Sequence, residues 1–314
     1  MAPITIDVII ATYNRALLLD RAVRSILMAD REQQLGFTIT VVDNNSMDGT
    51  PQVVARLSEE SEGKVRYLFE PRQGKSHAVN RGIAATSGNI VAFSDDDQVM
   101  GREWLKAIYQ ALIDGYDYVT GPVLGEWEIE QPDWYDDRLH GVLSLFHGGE
   151  ERVPHGTDES VHGFSGGNGA IRRSVIEKIG GYRAGLGKLA GKLSMCEDGE
   201  LFIRLKRGGY NGVYEPRMRV FHLVPSERLT KSYFRRWHRA YGNSMALIDT
   251  LHPKPVSRWF GVPRFLIRRT IETVPRMISA KLRGDMPGTF EQELNLWFML
   301  GFIGGKLSSK SLEI

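Results

Sequence analysis

Three consecutive aspartates, Asp95, Asp96 and Asp97, close the segment NIVAFSDDD. Adjacent carboxylates repel one another and are costly to hold in place unless a cation neutralises them, and their hard oxygens suit Mg2+ or Mn2+. A metal bridging a diphosphate would meet that need; a solvated turn or a helix cap is the plain alternative for an acidic triplet. Further along, GFSGGNGAIRR supplies small residues, Gly167 among them, where backbone can approach a ligand closely, with Asn168 as a hydrogen-bonding side chain. Such a glycine cluster by itself is also what a loop looks like. Arg235 and Arg239 are four residues apart and share a helix face, so both can close over a diphosphate as bidentate donors. His222, in VFHLV, reads either as a packed core histidine or as a ligand.

The elements that must position these groups alternate along the chain. ITIDVIIAT at 4–12 and FTITVVD at 37–43 are β-branched apolar runs of the kind found in buried parallel strands. Between them Leu17, Leu18, Ala22, Val23, Ile26 and Leu27 recur at helical spacing. A helix over about 50–61, a strand at VRYLFE, a helix over about 76–86 and a strand at NIVAFSD continue the alternation. It predicts an α/β fold, a mostly parallel central sheet with helices on both faces. Ligands of such sheets bind beyond the carboxyl ends of the strands. Thr12, Tyr13, Asn14 and Arg15 follow the first strand, Asp43, Asn44 and Asn45 the second, and the aspartates the later one, so one ligand can touch all three. No G-x-G-x-x-G follows the first strand and no G-x-x-x-x-G-K-[ST] occurs, which disfavours a dinucleotide dehydrogenase or a P-loop nucleotidase. From about 126 to 163 the chain reads as irregular, a length that usually marks a functional loop or lid.

VIIATYNR, VVDNNSMDGT, GKSHAVNRGIAATSGNIVAFSDDD, GGNGAIRR and CEDGELFIRL occur in the order seen in family 2 glycosyltransferases, and over about residues 4–240 the chain resembles that family. The resemblance implies a glycosyltransferase-A fold and displacement at an anomeric carbon with inversion of its configuration. Carried over by position, Thr12, Tyr13 and Arg15 would border the nucleotide base, with Asn14 in the same segment, and Asp43 would hold base or ribose. Lys75 and Asn80 would approach the nucleotide and its phosphates. Asp95 to Asp97 match the metal-binding D-x-D region, with Asp97 the first choice as direct ligand, and His222 resembles a histidine that reaches the metal or diphosphate. Asp198 of CED matches the general base.

The chemistry asks for the same division. Displacement at a sugar carbon needs a deprotonated acceptor hydroxyl on one face and a stabilised diphosphate on the other. Asp198 would serve the first, fixed by a helix whose Leu201, Phe202 and Leu205 pack inward; Glu197 competes for that role or lines the acceptor site with Gly167 and Asn168. An acid pair opening a helix is also what the macrodipole favours without any catalysis. Two other readings stand beside transfer: a sugar nucleotidyltransferase, whose glycine-rich basic loop ATYNRALL lacks, and a non-catalytic nucleotide-sugar-binding protein, whose expected loss of the acids is absent.

The net charge of +2 is uneven. From Arg228 onward 15 Lys and Arg face 6 Asp and Glu, which leaves the preceding part acidic. A basic tail suits phosphates, a lipid surface or simply a solvated face. No nucleic-acid-binding module accompanies it. From Trp259 apolar and basic positions interleave, as in helices that lie on an anionic membrane; docking on the catalytic domain or in a homodimer fits equally. The expected organisation is a catalytic domain over 1–242 and a basic helical extension over 243–314. A single cysteine, Cys196, and no basic, apolar leader at the first residues point to a cytoplasmic protein, peripheral on the cytoplasmic face of a membrane, with a nucleotide-diphosphate sugar donor and a glycan or lipid-linked acceptor as partners.

Overall fold

The computed structural model describes residues 4–155, 163–187 and 195–309. The chain begins β1 (Ile4–Thr12), α1 (Ala16–Leu27), β2 (Leu35–Asp43), α2 (Thr50–Glu60), β3 (Val65–Phe69), α3 (Lys75–Ala84) and β4 (Ile90–Asp95). There follow β5 (Gln98–Met100), α4 (Trp104–Ile113), β6 (Tyr118–Thr120), β7 (Val123–Trp127), β8 (Val153–His155), β9 (Asn168–Arg172) and α5 (Arg173–Ile179). The last part holds α6 (Glu197–Arg207), β10 (Gly212–Tyr214), β11 (Val220–Val224), α7 (Lys231–Leu251), β12 (Arg258–Trp259), β13 (Val262–Pro263), α8 (Arg264–Leu282) and α9 (Met286–Ser309).

The central sheet has the order β3-β2-β1-β4-β9-β6-β10-β8. Its first four strands are parallel, as the alternation predicts, and β6 is parallel to β10. In β1, Ile6, Val8, Ile9 and Ile10 are all buried, so both faces of the strand are covered. The covering stripe of α1 is Leu19, Ala22, Val23 and Ile26. Leu17, grouped with them by spacing, is exposed, because two residues before Leu19 lies nearly on the opposite side of a helix.

β9 runs antiparallel to both β4 and β6, pairing Asn168 with Ser94 and Gly169 with Phe93. That reversal sets the start of β9 beside the end of β4, so the glycine-rich segment and the aspartates share one end of the sheet. Beneath them Phe93 packs edge-on against Phe164 (6.1 Å) and Tyr182 (5.6 Å), in a core that also holds Ile9, Val42, Leu201 and Phe202. Burying one such side chain contributes about 1.5–3 kcal/mol.

Two compact units divide the chain: residues 1–126, 146–191 and 197–223 form the first, and 127–145, 192–196 and 224–314 the second. The boundary expected at 242/243 instead falls inside α7, a continuous helix begun by Thr230, whose side chain accepts from the Tyr233 amide at 3.2 Å. The stretch read as one irregular loop is shared out. β8 joins the central sheet, whereas Trp134 lies edge-on to Phe234 (5.2 Å) and Phe290 (5.1 Å) in the second unit, where Arg138 also grips Asp285 through bonds of 2.9 and 2.8 Å. α7 and α9 meet backbone to backbone: a Cβ at Gly301 would stand 1.9 Å from the Arg239 carbonyl oxygen, and one at Gly242 would stand 2.0 Å from that of Phe298. Among the described residues no helix is long and apolar enough to cross a membrane.

Candidate active site

The carboxyl ends of β1, β2 and β4 deliver Thr12, Tyr13, Arg15, Asn44 and the three aspartates to one cleft, which Gln73, Gly74 and Lys75 close from the start of α3. Two cations of the chain offset part of the charge there. Arg15 Nη1 donates to Asp96 Oδ1 (2.9 Å) and to Asp97 Oδ2 (2.8 Å), and the Thr12 hydroxyl donates to Asp96 Oδ2 (2.8 Å). Burial, with Asp97 beside it, still pushes the Asp96 carboxyl above the ordinary carboxylate range against the pull of Arg15. Lys75 bonds Asp95 Oδ1. Burial by itself would lower the Lys75 ammonium, but Asp95, Asp198 and Glu197 outweigh it and raise the pKa. Arg15 and Lys75 thus offset two of the three aspartate charges from within the chain.

Asp97 has a second neighbour. β11 pairs with β5 so that His222 stands opposite Gln98, and His222 Nε2 lies 3.4 Å from Asp97 Oδ1. Among the described residues no three or more His, Cys, Asp or Glu side chains are gathered into a cage. A Mg2+ or Mn2+ bound with a diphosphate does not need one, since one or two carboxylates hold it and phosphate oxygens and water fill most of its shell. Asp97 with Asp95, two residues earlier at the end of β4, supplies such carboxylates, and His222 stands beside them.

The opposite wall carries the acids that open α6. Asp198 lies in the first turn of α6, whose buried Leu201 and Leu205 fix it to the core. Its Oδ1 is buried, and neither that atom nor the Tyr182 hydroxyl makes a well-formed hydrogen bond within the described residues. Gly166 explains the fit: a Cβ there would stand 2.0 Å from Asp198 Oδ1 and 2.9 Å from the Tyr182 hydroxyl. Burial raises the Asp198 pKa, opposed by Lys75 and the Gly166 amide and assisted by Asp95. Burial and the nearby acids likewise hold the Tyr182 hydroxyl protonated, its pKa well above the ordinary one. Glu197 is buried beside Lys75 and Gly187. At Gly167 a Cβ would stand 2.6 Å from Gln98 Nε2 and 2.8 Å from Asp95 Oδ2, so the segment comes close to the aspartates only because it carries no side chain there.

Several residues singled out in the sequence already hold partners within the chain. Asp43 is buried with both oxygens engaged, by the Tyr67 hydroxyl (2.8 Å) and the Ser46 amide (2.8 Å). Its neighbour Asn44 lines the cleft and pins the 70–74 loop through the Glu70 and Arg72 carbonyls and the Gly74 amide. Asn14, at φ 54°, ties the loop after β1 to the loop after β2 through Ser46 and Met47. Asn80 clamps the backbone of Tyr182 by a bond to its carbonyl (2.7 Å) and one from its amide (2.8 Å), so it acts on the Asp198 wall. Asn168 does not offer its side chain to a ligand: it is wholly buried, accepts from Trp104 Nε1 (2.8 Å) and donates to the Pro122 (2.9 Å) and Met218 (2.7 Å) carbonyls. Arg235 and Arg239 belong to the second unit, where Arg235 pairs with Glu293 at 2.6 Å and Arg239 is exposed. Gln98, Gly166 and Tyr182 are the site residues that sequence reasoning passes over. Gln98 follows the aspartates directly and binds the Asp95 amide (3.2 Å), so its adjacency was the one available signal.

The profile of Glycosyl transferase family 2 matches residues 7–180, more than half of the chain. The chain is 34% identical over 125 residues to a GalNAc(5)-diNAcBac-PP-undecaprenol β-1,3-glucosyltransferase of Campylobacter jejuni, spanning 39% of its own length and 39% of that protein's. It is 24% identical over 252 residues to the succinoglycan biosynthesis protein ExoM of Rhizobium meliloti, across 79% of this chain and 76% of ExoM. In fold it is similar to a mannosyltransferase of Pyrobaculum calidifontis solved with GDP-Man and Mn2+, with a TM-score of 0.57 and 18% identity over 98% of this chain and 75% of that one.

Proposed function

This chain belongs to glycosyl transferase family 2, and from that premise we propose that it moves a sugar from a UDP- or dTDP-linked donor to a hydroxyl of a glycan or lipid-linked saccharide, inverting the anomeric configuration. The observation that carries the reading is the pairing of two walls at one sheet end: Arg15, Lys75 and the aspartates on one, Asp198 against Gly166 on the other. The acceptor hydroxyl gives its proton to Asp198 as its oxygen bonds to the anomeric carbon. The bond from that carbon to the diphosphate oxygen breaks on the far side, and the diphosphate leaves with the electron pair. Arg15 and Lys75 hold the departing charge, each loosening its grip on the aspartates as the diphosphate takes their place. Asp97 and His222, with Asp95, would hold Mg2+ or Mn2+, which when bound supplies Lewis-acid stabilisation of the leaving group.

Thermal shifts with UDP, dTDP and GDP, each with and without Mn2+, test the donor wall. UDP or dTDP with Mn2+ is expected to raise the melting temperature, and the metal alone much less. A protein that no nucleoside diphosphate stabilises does not have this donor site. Asp198→Asn is expected to abolish transfer while keeping the donor-induced shift; full activity in that variant would remove Asp198 from the role of base.

A further inference from the structure

A second surface of the molecule is built for contact and lies apart from the cleft residues in the chain. β12 and β13 form a two-residue hairpin whose turn, Phe260 and Gly261, has φ of 49° and 83°. Both turn positions are left-handed, a conformation that favours Gly, Asn and Asp. A phenylalanine sits there instead, fully exposed, with Trp259 more than half exposed beside it. Among the described residues no packing repays that placement.

The hairpin leads directly into α8, which has two apolar faces. Leu266, Thr273 and Ala280 form the buried one. Ile271, Val274, Ile278 and Leu282 recur at three- and four-residue steps, which stacks them on one side of the helix, and all four are exposed. Cations border the stripe. Arg264, Arg268, Arg276, Lys281 and Arg283 are exposed, and Arg264 lies 4.9 Å over the Trp259 ring. Glu272 is the one acid in the helix. A continuous apolar strip rimmed by this charge is complementary to an anionic apolar surface, with aromatic side chains at the depth where headgroups meet acyl chains. A second copy of the chain is a poorer fit, because a two-fold contact on this face would set the arginine rims against each other.

We propose that the Trp259–Phe260 hairpin tip and the outward stripe of α8 form a docking surface for an anionic lipid bilayer, which the chain enters from one side without crossing. Vesicle binding is read without turnover, so its failure and the failure of the transferase reading are separate results. The full chain is sedimented with vesicles of about three parts phosphatidylcholine to one part phosphatidylglycerol, and with phosphatidylcholine alone. Binding is expected to the anionic vesicles only and to weaken with salt. Phe260→Asn combined with Ile278→Ser is expected to lower it at least about tenfold, with the circular dichroism and a melting temperature close to that of the wild type, because asparagine suits the turn and Ile278 is more than half exposed. Lys281→Glu with Arg283→Glu is expected to do the same through charge alone. Absence of the wild type from the anionic pellet, or variants that pellet as the wild type does, overturns the proposal. A dimer seen by light scattering and broken by the same variants overturns it too and assigns the surface to a second copy.

Discussion

Asp198 and Gly166 act as a pair, because the acid has its place only while residue 166 has no side chain. A methyl group at 166 would fall 2.0 Å from Asp198 Oδ1, so Gly166→Ala must push the carboxylate aside or shift the segment before β9. Turnover is expected to drop at least about tenfold, since a misplacement of about 1 Å at a reacting group can cost more than that. Donor binding, measured by the melting shift with UDP and Mn2+, is expected to remain, because neither Arg15 nor Lys75 is among the atoms that a Cβ at 166 would meet. A loss of donor binding as large as the loss of turnover would place Gly166 in the donor site. Tyr182 belongs to the same assembly through the two backbone bonds from Asn80, which makes Asn80 a positioning residue.

The element that matters most is β9, and Asn168 at its start is the staple. It accepts from the Trp104 indole and donates to two carbonyls from separate segments, all without contact to solvent. Asn168→Ala leaves the Trp104 indole donor and the Met218 carbonyl unpaired, at roughly 1–3 kcal/mol each before relaxation, while the Pro122 carbonyl keeps the Val220 amide at 3.1 Å. Destabilisation of about 3 kcal/mol or more is expected by urea unfolding; a change below about 1 kcal/mol would show that water fills the site. This strand also marks the limit of what the sequence discloses. The four parallel strands were legible because β-branched runs alternate with amphipathic helices, and the cleft residues at their carboxyl ends followed from that. Direction is a different matter: NGAIR reads the same whether the strand runs with β4 or against it, and only pairing on both sides settles it. Gly166, Tyr182 and Gln98 escaped notice for the same reason, since their importance comes from neighbours that pairing brings together. Asn168 reads as a cleft residue and is a staple of the core, because residue type does not reveal whether a polar side chain faces a cleft or a carbonyl in the core.

Across the whole molecule, acid is expected to act on the second unit through His238. Burial, with Arg269 nearby, lowers its pKa from 6.5 to about 4, even though its Nδ1 lies 3.2 Å from the Phe234 carbonyl. The unfolded chain therefore binds a proton there between those values and the folded chain does not, so stability is fully present above about pH 6.5 and falls as pH drops toward 4. The loss is at most about 3 kcal/mol. Trp237, with its ring 5.2 Å from that of His238, is the local reporter for unfolding followed against pH, and His238→Gln is expected to flatten the slope. An unchanged slope would locate the acid sensitivity elsewhere. The seam between α7 and α9 bears on how that unit opens. At Gly242 and Gly301 nothing but main chain separates the helices, so there is no rotamer to swing aside and no gap for water to enter. Partial loosening is closed to such a contact; it is either made or lost. The amides of both helices around these glycines are thus expected to take up deuterium in step, late and in a single phase, while the exposed hairpin exchanges within the dead time. In that sense two missing side chains set the clock for the whole helical unit.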